Sequence, residues 1–328
     1  MSDSILVVGG AGYIGSHVVQ AFLEANFKVT VFDNLSSGLE INLFKQARFV
    51  RGDVQNREQL KELFTENFDA VIHLAALKAA GESMEIPEKY AYQNINGTMN
   101  LLEAISLSKT RIIVFSSSAA VYGMPSYLPL DENHPVDPIN FYGFTKYEVE
   151  RFLDWYDRLK EIKYASLRYF NAAGYDPGGD ILGLETAPAN LIPVVMETAA
   201  GIRDSMSIFG DDYPTPDGTG IRDYIHVTDL AKAHLMAYQN IKISEQSLTL
   251  NLGTGKGHSV LEVIRMTEKV TGKKLNYVIT NRREGDPAEL YTGSKTAWDT
   301  LGWEPEFSNL ESLIKTTWQV YQHPLNRK

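Results

Sequence analysis

The chain has 328 residues, 44% apolar and 22% charged, which excludes a disordered or fibrous polymer and leaves room for one large α/β unit plus a smaller appendage. A formal charge of -10 argues against a nucleic-acid partner, because phosphate backbones are held by clustered Lys and Arg. The absence of cysteine removes disulfides, thiolate metal sites and a cysteine nucleophile.

Residues 1–4 run straight into the apolar stretch 5–8, which is too short for a signal-peptide core, and no run approaches the roughly 18 apolar residues of a membrane span. The expectation is a cytoplasmic protein without a membrane partner. In chain order, the pattern predicts strands at 5–8, 28–32, 48–50, 70–74, 111–115 and 165–169. Helices are expected at 14–25, 57–66, 87–106 and 141–159. This alternation predicts a doubly wound parallel sheet, Rossmann-like, with ligands at the carboxyl ends of its strands. We place the cofactor-binding domain at 1–171 and a smaller α/β substrate domain at 172–328. A strand and helix at 222–238 and a strand at 248–252 are expected to pack back on the first sheet.

The first strand ends in Gly9-Gly10-Ala11-Gly12-Tyr13-Ile14-Gly15 and opens directly into a helix. So tight a turn needs residues without a Cβ. It also brings backbone N–H groups and the positive end of a helix toward a pyrophosphate. Asp33 ends the second strand, where a carboxylate accepts hydrogen bonds from the adenosine ribose and repels a 2′-phosphate, so the cofactor is NAD rather than NADP. Asp53, in Gly52-Asp53-Val54, stands where it can reach the adenine or serve simply as a turn residue.

Tyr142 and Lys146 lie four apart at the start of a predicted helix and share a face, while Ser118 follows the fifth strand at the same sheet edge. A free tyrosine, with a pKa of about 10, is a poor base at neutral pH. An ammonium about 4 Å away at an effective dielectric of ~20 is worth ~4 kcal/mol, or roughly three pKa units, so Lys146, helped by oxidised nicotinamide, is expected to bring Tyr142 close to pH 7. The same spacing recurs at Tyr156 and Lys160, but that pair sits about 21 Å further along the helix, away from the sheet edge.

These residues, with the segments 73–78, 94–98, 116–123, 168–171, 190–193, 208–213, 217–227 and 282–286, resemble the extended short-chain dehydrogenase/reductase family nearly end to end. The resemblance implies tightly held NAD and reversible inversion at carbon 4 of a UDP-hexose, UDP-glucose to UDP-galactose. Tyr142 takes the 4-hydroxyl proton, Ser118 bonds the same oxygen, and Lys146 assists. By the same resemblance Asn34, Val54, Leu74, Ala75, Ala76, Lys78, Asn94, Ser116, Tyr169 and Phe170 join the glycine turn around the cofactor. Lys78 also meets the substrate, with Asn171, Asn190, Leu191, Phe209, Arg222, Arg283 and Asp286 holding the UDP-sugar.

Arginine suits a diphosphate because its donors come in pairs. By the resemblance, Leu290 occupies the position that decides whether an N-acetyl group fits near the sugar 2-position, intermediate between a tyrosine that closes the pocket and a small residue that opens it. The loop 174–189 departs from the family's Gly-Glu-Asp pattern, so its sugar contacts are not carried over. A dehydratase on this fold needs an acid and a base after the fifth strand, where this chain reads Ser117-Ser118-Ala119-Ala120. A non-catalytic NAD sensor would be expected to lose the tyrosine or the lysine, and both are present. The helices 87–106 and 141–159 resemble those that form a homodimer interface in the family. Scattered histidines, His226 and His234 with Asp229 among them, are read as packing polarity and not as metal ligands. Trp298, Trp303 and Trp318 are expected in the core.

Overall fold

The computed structural model describes residues 2–186, 188–283 and 285–326; Ala187 in the 174–189 loop and Glu284 in the 282–286 segment lie outside them. The first half of the chain builds β1 (Ser4–Val8), α1 (Tyr13–Glu24), β2 (Lys28–Asp33), β3 (Arg48–Arg51), α2 (Arg57–Leu63), β4 (Ala70–His73), α3 (Ala80–Glu85), α4 (Pro87–Tyr90), α5 (Gly97–Leu107), β5 (Ile112–Ser116), α6 (Phe141–Lys160) and β6 (Lys163–Tyr169). The second half adds β7 (Asn171–Ala173), α7 (Leu191–Ala199), β8 (Met206–Phe209), β9 (Ile221–His226), α8 (Val227–Ser244), β10 (Leu248–Leu252) and β11 (Gly257–Ser259). It closes with α9 (Val260–Thr271), β12 (Tyr277–Thr280), β13 (Glu289–Leu290), α10 (Lys295–Leu301) and α11 (Leu310–Gln322).

Seven strands form one parallel sheet in the order β10-β6-β5-β4-β1-β2-β3. β1 is an interior strand between β4 and β2, and its alternating side chains divide the core. Ile5 and Val7 pack with Val18, Phe22 and Leu230 on one face, while Leu6 and Val8 pack with Leu60, Leu101 and Leu153 on the other. Burial on both faces explains why these strands read as continuous apolar runs. Because β1 has a neighbour on each side, the turn that follows it opens between the ends of β4 and β2.

Three expectations need correction. Helix 87–106 is not uniform: residues Ala91–Asn96 widen into a π-helical segment between α4 and α5. There Asn94 turns its amide inward to Leu77 and to Thr145 of α6, bonds that compete with regular helical packing. Of the segments expected to return to the first sheet, α8 and β10 do so, and β10 pairs with β6 from Leu248↔Ala165 to Leu252↔Tyr169. β9 instead gathers β7, β11 and β13 into a second sheet, and β8 pairs with β12. A third apolar cluster around Ile192, Val195, Ile208, Val263 and Leu313 serves these elements. Trp303 is buried in the first cluster, on the large sheet, its indole N–H donating to the Asp229 carbonyl, and Trp318 packs on the third cluster, but Trp298 is half exposed. Its place on the two-turn α10 leaves one face to solvent.

Candidate active site

A groove of about 340 Å³ runs along the carboxyl edge of the large sheet. It is lined by Gly9, Gly12, Tyr13, Ile14 and Gly15 from the turn, Asp33 and Asn34 from β2, Val54, Leu74, Ala75, Ala76 and Lys78 after β3 and β4, and Tyr169. The glycines are there for space. A Cβ on Gly15 would stand 2.0 Å from the Gly9 carbonyl oxygen, and Gly9, at φ 86°, would put a Cβ 2.6 Å from the Ala75 nitrogen. α1 begins with Gly12 and no side-chain cap, so its first N–H groups remain open to an anion. Asp33 is 8% exposed; one carboxylate oxygen accepts from Ala11 N at 3.0 Å and the other from Leu35 N at 2.8 Å, which fixes its direction while each oxygen keeps capacity for a ribose hydroxyl. A dinucleotide fits this groove by shape, backbone donors and carboxylate placement together.

Four expected cofactor residues stand behind the groove wall instead of on it. Asp53 accepts from the Asn34 amide at 2.9 Å and from Gln55 N at 2.8 Å, so it steers Asn34 and holds the turn. Asn94 braces the 75–78 loop through Leu77. Ser116 turns its hydroxyl to His234 at 2.9 Å and offers only its carbonyl toward the site. Phe170 is 8% exposed and packs with Tyr122, Leu130 and Leu290. The sequence reading missed Ser36, Ser37, Asn42 and Glu185 on the groove. Ser36 and Ser37 follow Asp33-Asn34-Leu35 directly, a signal that was available. Glu185 was not legible: it reaches the groove only because the 174–189 loop folds back, and it ion-pairs with Lys78.

At one end of this edge lie Ser118, Tyr142 and Lys146. Asn140 caps α6 by accepting from Gly143 N at 2.8 Å, which starts the helix where Tyr142 faces the strand ends. Gly143 is needed for the approach, since a Cβ there would stand 2.3 Å from the Ala120 carbonyl oxygen. Ser118 caps the following turn by accepting from Ala120 N at 3.1 Å. Lys146, 4% exposed, donates to the Ser116 carbonyl at 2.7 Å, and its ammonium lies 5.8 Å from the centre of the Tyr142 ring. Burial pulls the Lys146 pKa down to about 7, with the Glu150 carboxylate opposing that shift. Burial pushes Tyr142 above its ordinary value, and the adjacent Ser118 hydroxyl lowers it. Without the charge of oxidised nicotinamide, desolvation of the phenol dominates and holds Tyr142 above its ordinary value. Tyr156, of the second tyrosine-lysine pair, packs into the apolar cluster beneath α6, further along the helix from Tyr142, and Lys160 is exposed at the end of α6.

On the other side, Arg222 on β9 ion-pairs with Asp286 and donates to the Ile221 carbonyl at 2.7 Å. Arg283 stacks over the Phe209 ring at 3.8 Å from its centre. β13 pairs with β9 so that Leu290 lies opposite Arg222. Asn171 donates to the Asp223 carbonyl at 3.0 Å, and Asn190 caps α7 without a side-chain bond, beside Leu191. Thus four of the expected nucleotide residues form two close pairs, while Asn171 is spent on backbone. The histidines and Asp229 are likewise engaged: His226 with Thr228 N and Thr316, His234 with Ser116, and Asp229 with Glu306 N, Phe307 N and Ser308. No group of three or more metal-ligating side chains occurs among the described residues, and no described helix is long and apolar enough to cross a membrane.

A parallel sheet with a glycine turn, an acidic residue ending β2 and a Ser-Tyr-Lys set at the same edge defines a nucleotide-cofactor enzyme of the short-chain dehydrogenase/reductase kind. The chain belongs to the NAD dependent epimerase/dehydratase family, whose model matches residues 5–253. It is similar to the UDP-glucose 4-epimerase of Halalkalibacterium halodurans, 44% identical over 323 residues that cover 98% of this chain and 96% of that protein. Among solved structures it is similar to UDP-glucose 4-epimerase from Brucella ovis in complex with NAD, with TM-score 0.94, 42% identity and coverage of 97% and 98% of the two chains. The enzyme from Bifidobacterium longum in complex with NAD+ and UDP matches with TM-score 0.93 and 36% identity over 99% of this chain and 100% of that one.

Proposed function

We propose that this chain interconverts UDP-glucose and UDP-galactose by transient oxidation at carbon 4 of the sugar. The observation that carries the reading is the meeting of Ser118, Tyr142 and Lys146 at the end of a dinucleotide groove whose ribose position is set by Asp33. NAD, when bound, accepts the hydride from carbon 4 and returns it to the opposite face of the sugar. Tyr142 takes the 4-hydroxyl proton and gives it back, with Ser118 holding the same oxygen. Lys146, anchored on the Ser116 carbonyl, presents its positive charge to the phenolate as that charge develops. Burial of Tyr142 and Lys146 excludes water, which protects the 4-keto sugar while it turns over. Arg222 faces the diphosphate, Arg283 and Phe209 form a stacked wall for the base, and Asp286 serves both Arg222 and a ribose hydroxyl. The cofactor half comprises residues 1–171 together with α8 and β10, and the remainder forms the substrate half.

The chemistry stops at epimerisation, since no carboxyl pair follows β5 to carry protons for elimination. Leu290 gives a sugar pocket of intermediate width, and the proposed range extends to UDP-N-acetylhexosamines. We also propose a cytoplasmic homodimer, supported by apolar side chains left exposed on and beside the two long helices, Tyr92, Leu107, Trp155 and Leu159 among them. The test is an ultraviolet spectrum of the purified protein for retained NAD, followed by incubation with UDP-galactose. Conversion to UDP-glucose is expected; NAD present without conversion would sink the proposal. Parallel incubation with UDP-N-acetylglucosamine decides the sugar range, and a monomer mass by light scattering would remove the dimer.

A further inference from the structure

Behind the catalytic turn lies a buried polar cluster that the proposed chemistry does not use. Glu150 and Arg168 are each 6% exposed. One Glu150 oxygen accepts from the Ser117 hydroxyl and from Arg168 Nε at 2.9 Å, and the other accepts from Arg168 Nη2 at 2.6 Å. The second guanidinium nitrogen donates to Tyr122 Oη at 3.0 Å, and Tyr122 donates to Asn251 at 2.7 Å. The cluster therefore ties α6 to the ends of β5, β6 and β10. A buried ion pair adds little net stability over an apolar pair of the same shape, so stability alone does not account for it.

Its position does. Tyr142, Lys146 and Glu150 are spaced i, i+4, i+8 and form one stripe along α6. Three consecutive residues at the carboxyl end of β5 meet that stripe: Ser118 beside Tyr142, the Ser116 carbonyl on Lys146, and the Ser117 hydroxyl on Glu150. We propose that Glu150 is a positioning residue for proton transfer, holding the Ser118 turn against α6 through Ser117 and standing as the anion one helical turn from Lys146. This rests on the catalytic roles given above.

The electrostatic surroundings of Lys146 agree. On its own helix it meets Tyr142, a neutral phenol, and Glu150. From β4 comes His73, which burial keeps neutral with a pKa of about 3. From β6, Arg168 approaches through Glu150, and Tyr164 feels the same carboxylate. Glu150 is the acid whose charge acts on Lys146, and burial has already brought the lysine to about 7. Removing that anion lowers the lysine pKa further, so the ammonium is lost at a lower pH.

The experiment compares E150Q with the parent, both carrying NAD, by the pH dependence of kcat and by titration of the Lys146 13Cε resonance, assigned by its disappearance in K146M. An opposite charge at this range shifts a pKa by about one unit or more. We expect the alkaline limb of kcat and the Lys146 midpoint both to move down by about one unit, with activity near pH 6 changed less than about threefold and E150D restoring the parent midpoint. Should E150Q fail to fold with Arg168 unpaired, E150Q/R168Q is read against R168Q, so that the Glu150 anion is the only charge that differs. An unchanged Lys146 midpoint in a folded variant overturns the proposal. Since the resonance is read without turnover, a parent protein that epimerises nothing refutes the proposed function and leaves this inference standing on the midpoint alone.

Discussion

Four histidines make the protein acid-labile by a calculable amount. His17, His73, His226 and His234 are buried, and burial lowers their pKa values from 6.5 to about 4, 3, 3 and 4. Because the folded values lie below the unfolded one, the unfolded chain binds more protons below pH 6.5. Stability is therefore fully present above that pH and is lost as pH falls toward 4. Between pH 7.5 and pH 5 each ring forfeits ~2 kcal/mol, so the four together forfeit ~8 kcal/mol. Asp223 works the other way: burial raises its pKa to about 6, and its protonation in the folded protein returns ~1 kcal/mol over the same range. A net loss of ~6 kcal/mol or more is a large part of the 5–15 kcal/mol typical of a folded chain and corresponds to a drop in Tm of about 10 °C for this length. Calorimetry at pH 7.5 and pH 5 in matched ionic strength measures it. A Tm that moves by less than about 3 °C would refute the reasoning, because the imidazoles would then be accepting protons without unfolding.

Tyr142→Phe should keep the NAD absorbance of the parent and lower kcat roughly 10²- to 10⁴-fold; retention of full activity would mean another group is the base. Gly15→Ala drives a Cβ to within 2.0 Å of the Gly9 carbonyl oxygen, and the purified variant should carry at least about tenfold less NAD by absorbance, while a normal complement would remove the close-turn argument. Arg222→Ala leaves Asp286 without its cation and should weaken UDP binding by roughly 30-fold in calorimetric titration with NAD content unchanged; equal affinity would place the diphosphate elsewhere.

Much of this was legible because periodicity and local chemistry agreed. The first six strands lie within two residues of their expected bounds, and β10 falls on residues 248–252 as expected, since buried parallel strands are apolar on both faces and punctuated by turns. Gly9 to Gly15 and Asp33 were legible because a motif with a steric reason sat in the right strand-to-helix context. What escaped depends on distant partners. The π-helical Ala91–Asn96 segment follows from where Asn94 finds Leu77 and Thr145, which spacing along the helix does not report. β9 carries an apolar end like the others, yet its neighbours are β7, β11 and β13. The four-residue spacing of Tyr142 and Lys146 likewise does not report the desolvation that both groups share.

The pairing of β10 with β6 bears on how the molecule is made. During synthesis, β6 leaves the ribosome with one edge of its ladder open, and Leu248–Leu252 arrives to close it only after β7, α7, β8, β9 and α8 have been added. Until then Arg168 has Glu150 and Tyr122 but Tyr122 lacks Asn251, so the brace behind the catalytic turn is also unfinished. A nascent chain ended near residue 171 would carry every glycine of the cofactor turn and still expose the row Ala165 to Tyr169 as a template for another strand. The sheet that carries the cofactor turn is thus completed by a five-residue strand far down the chain.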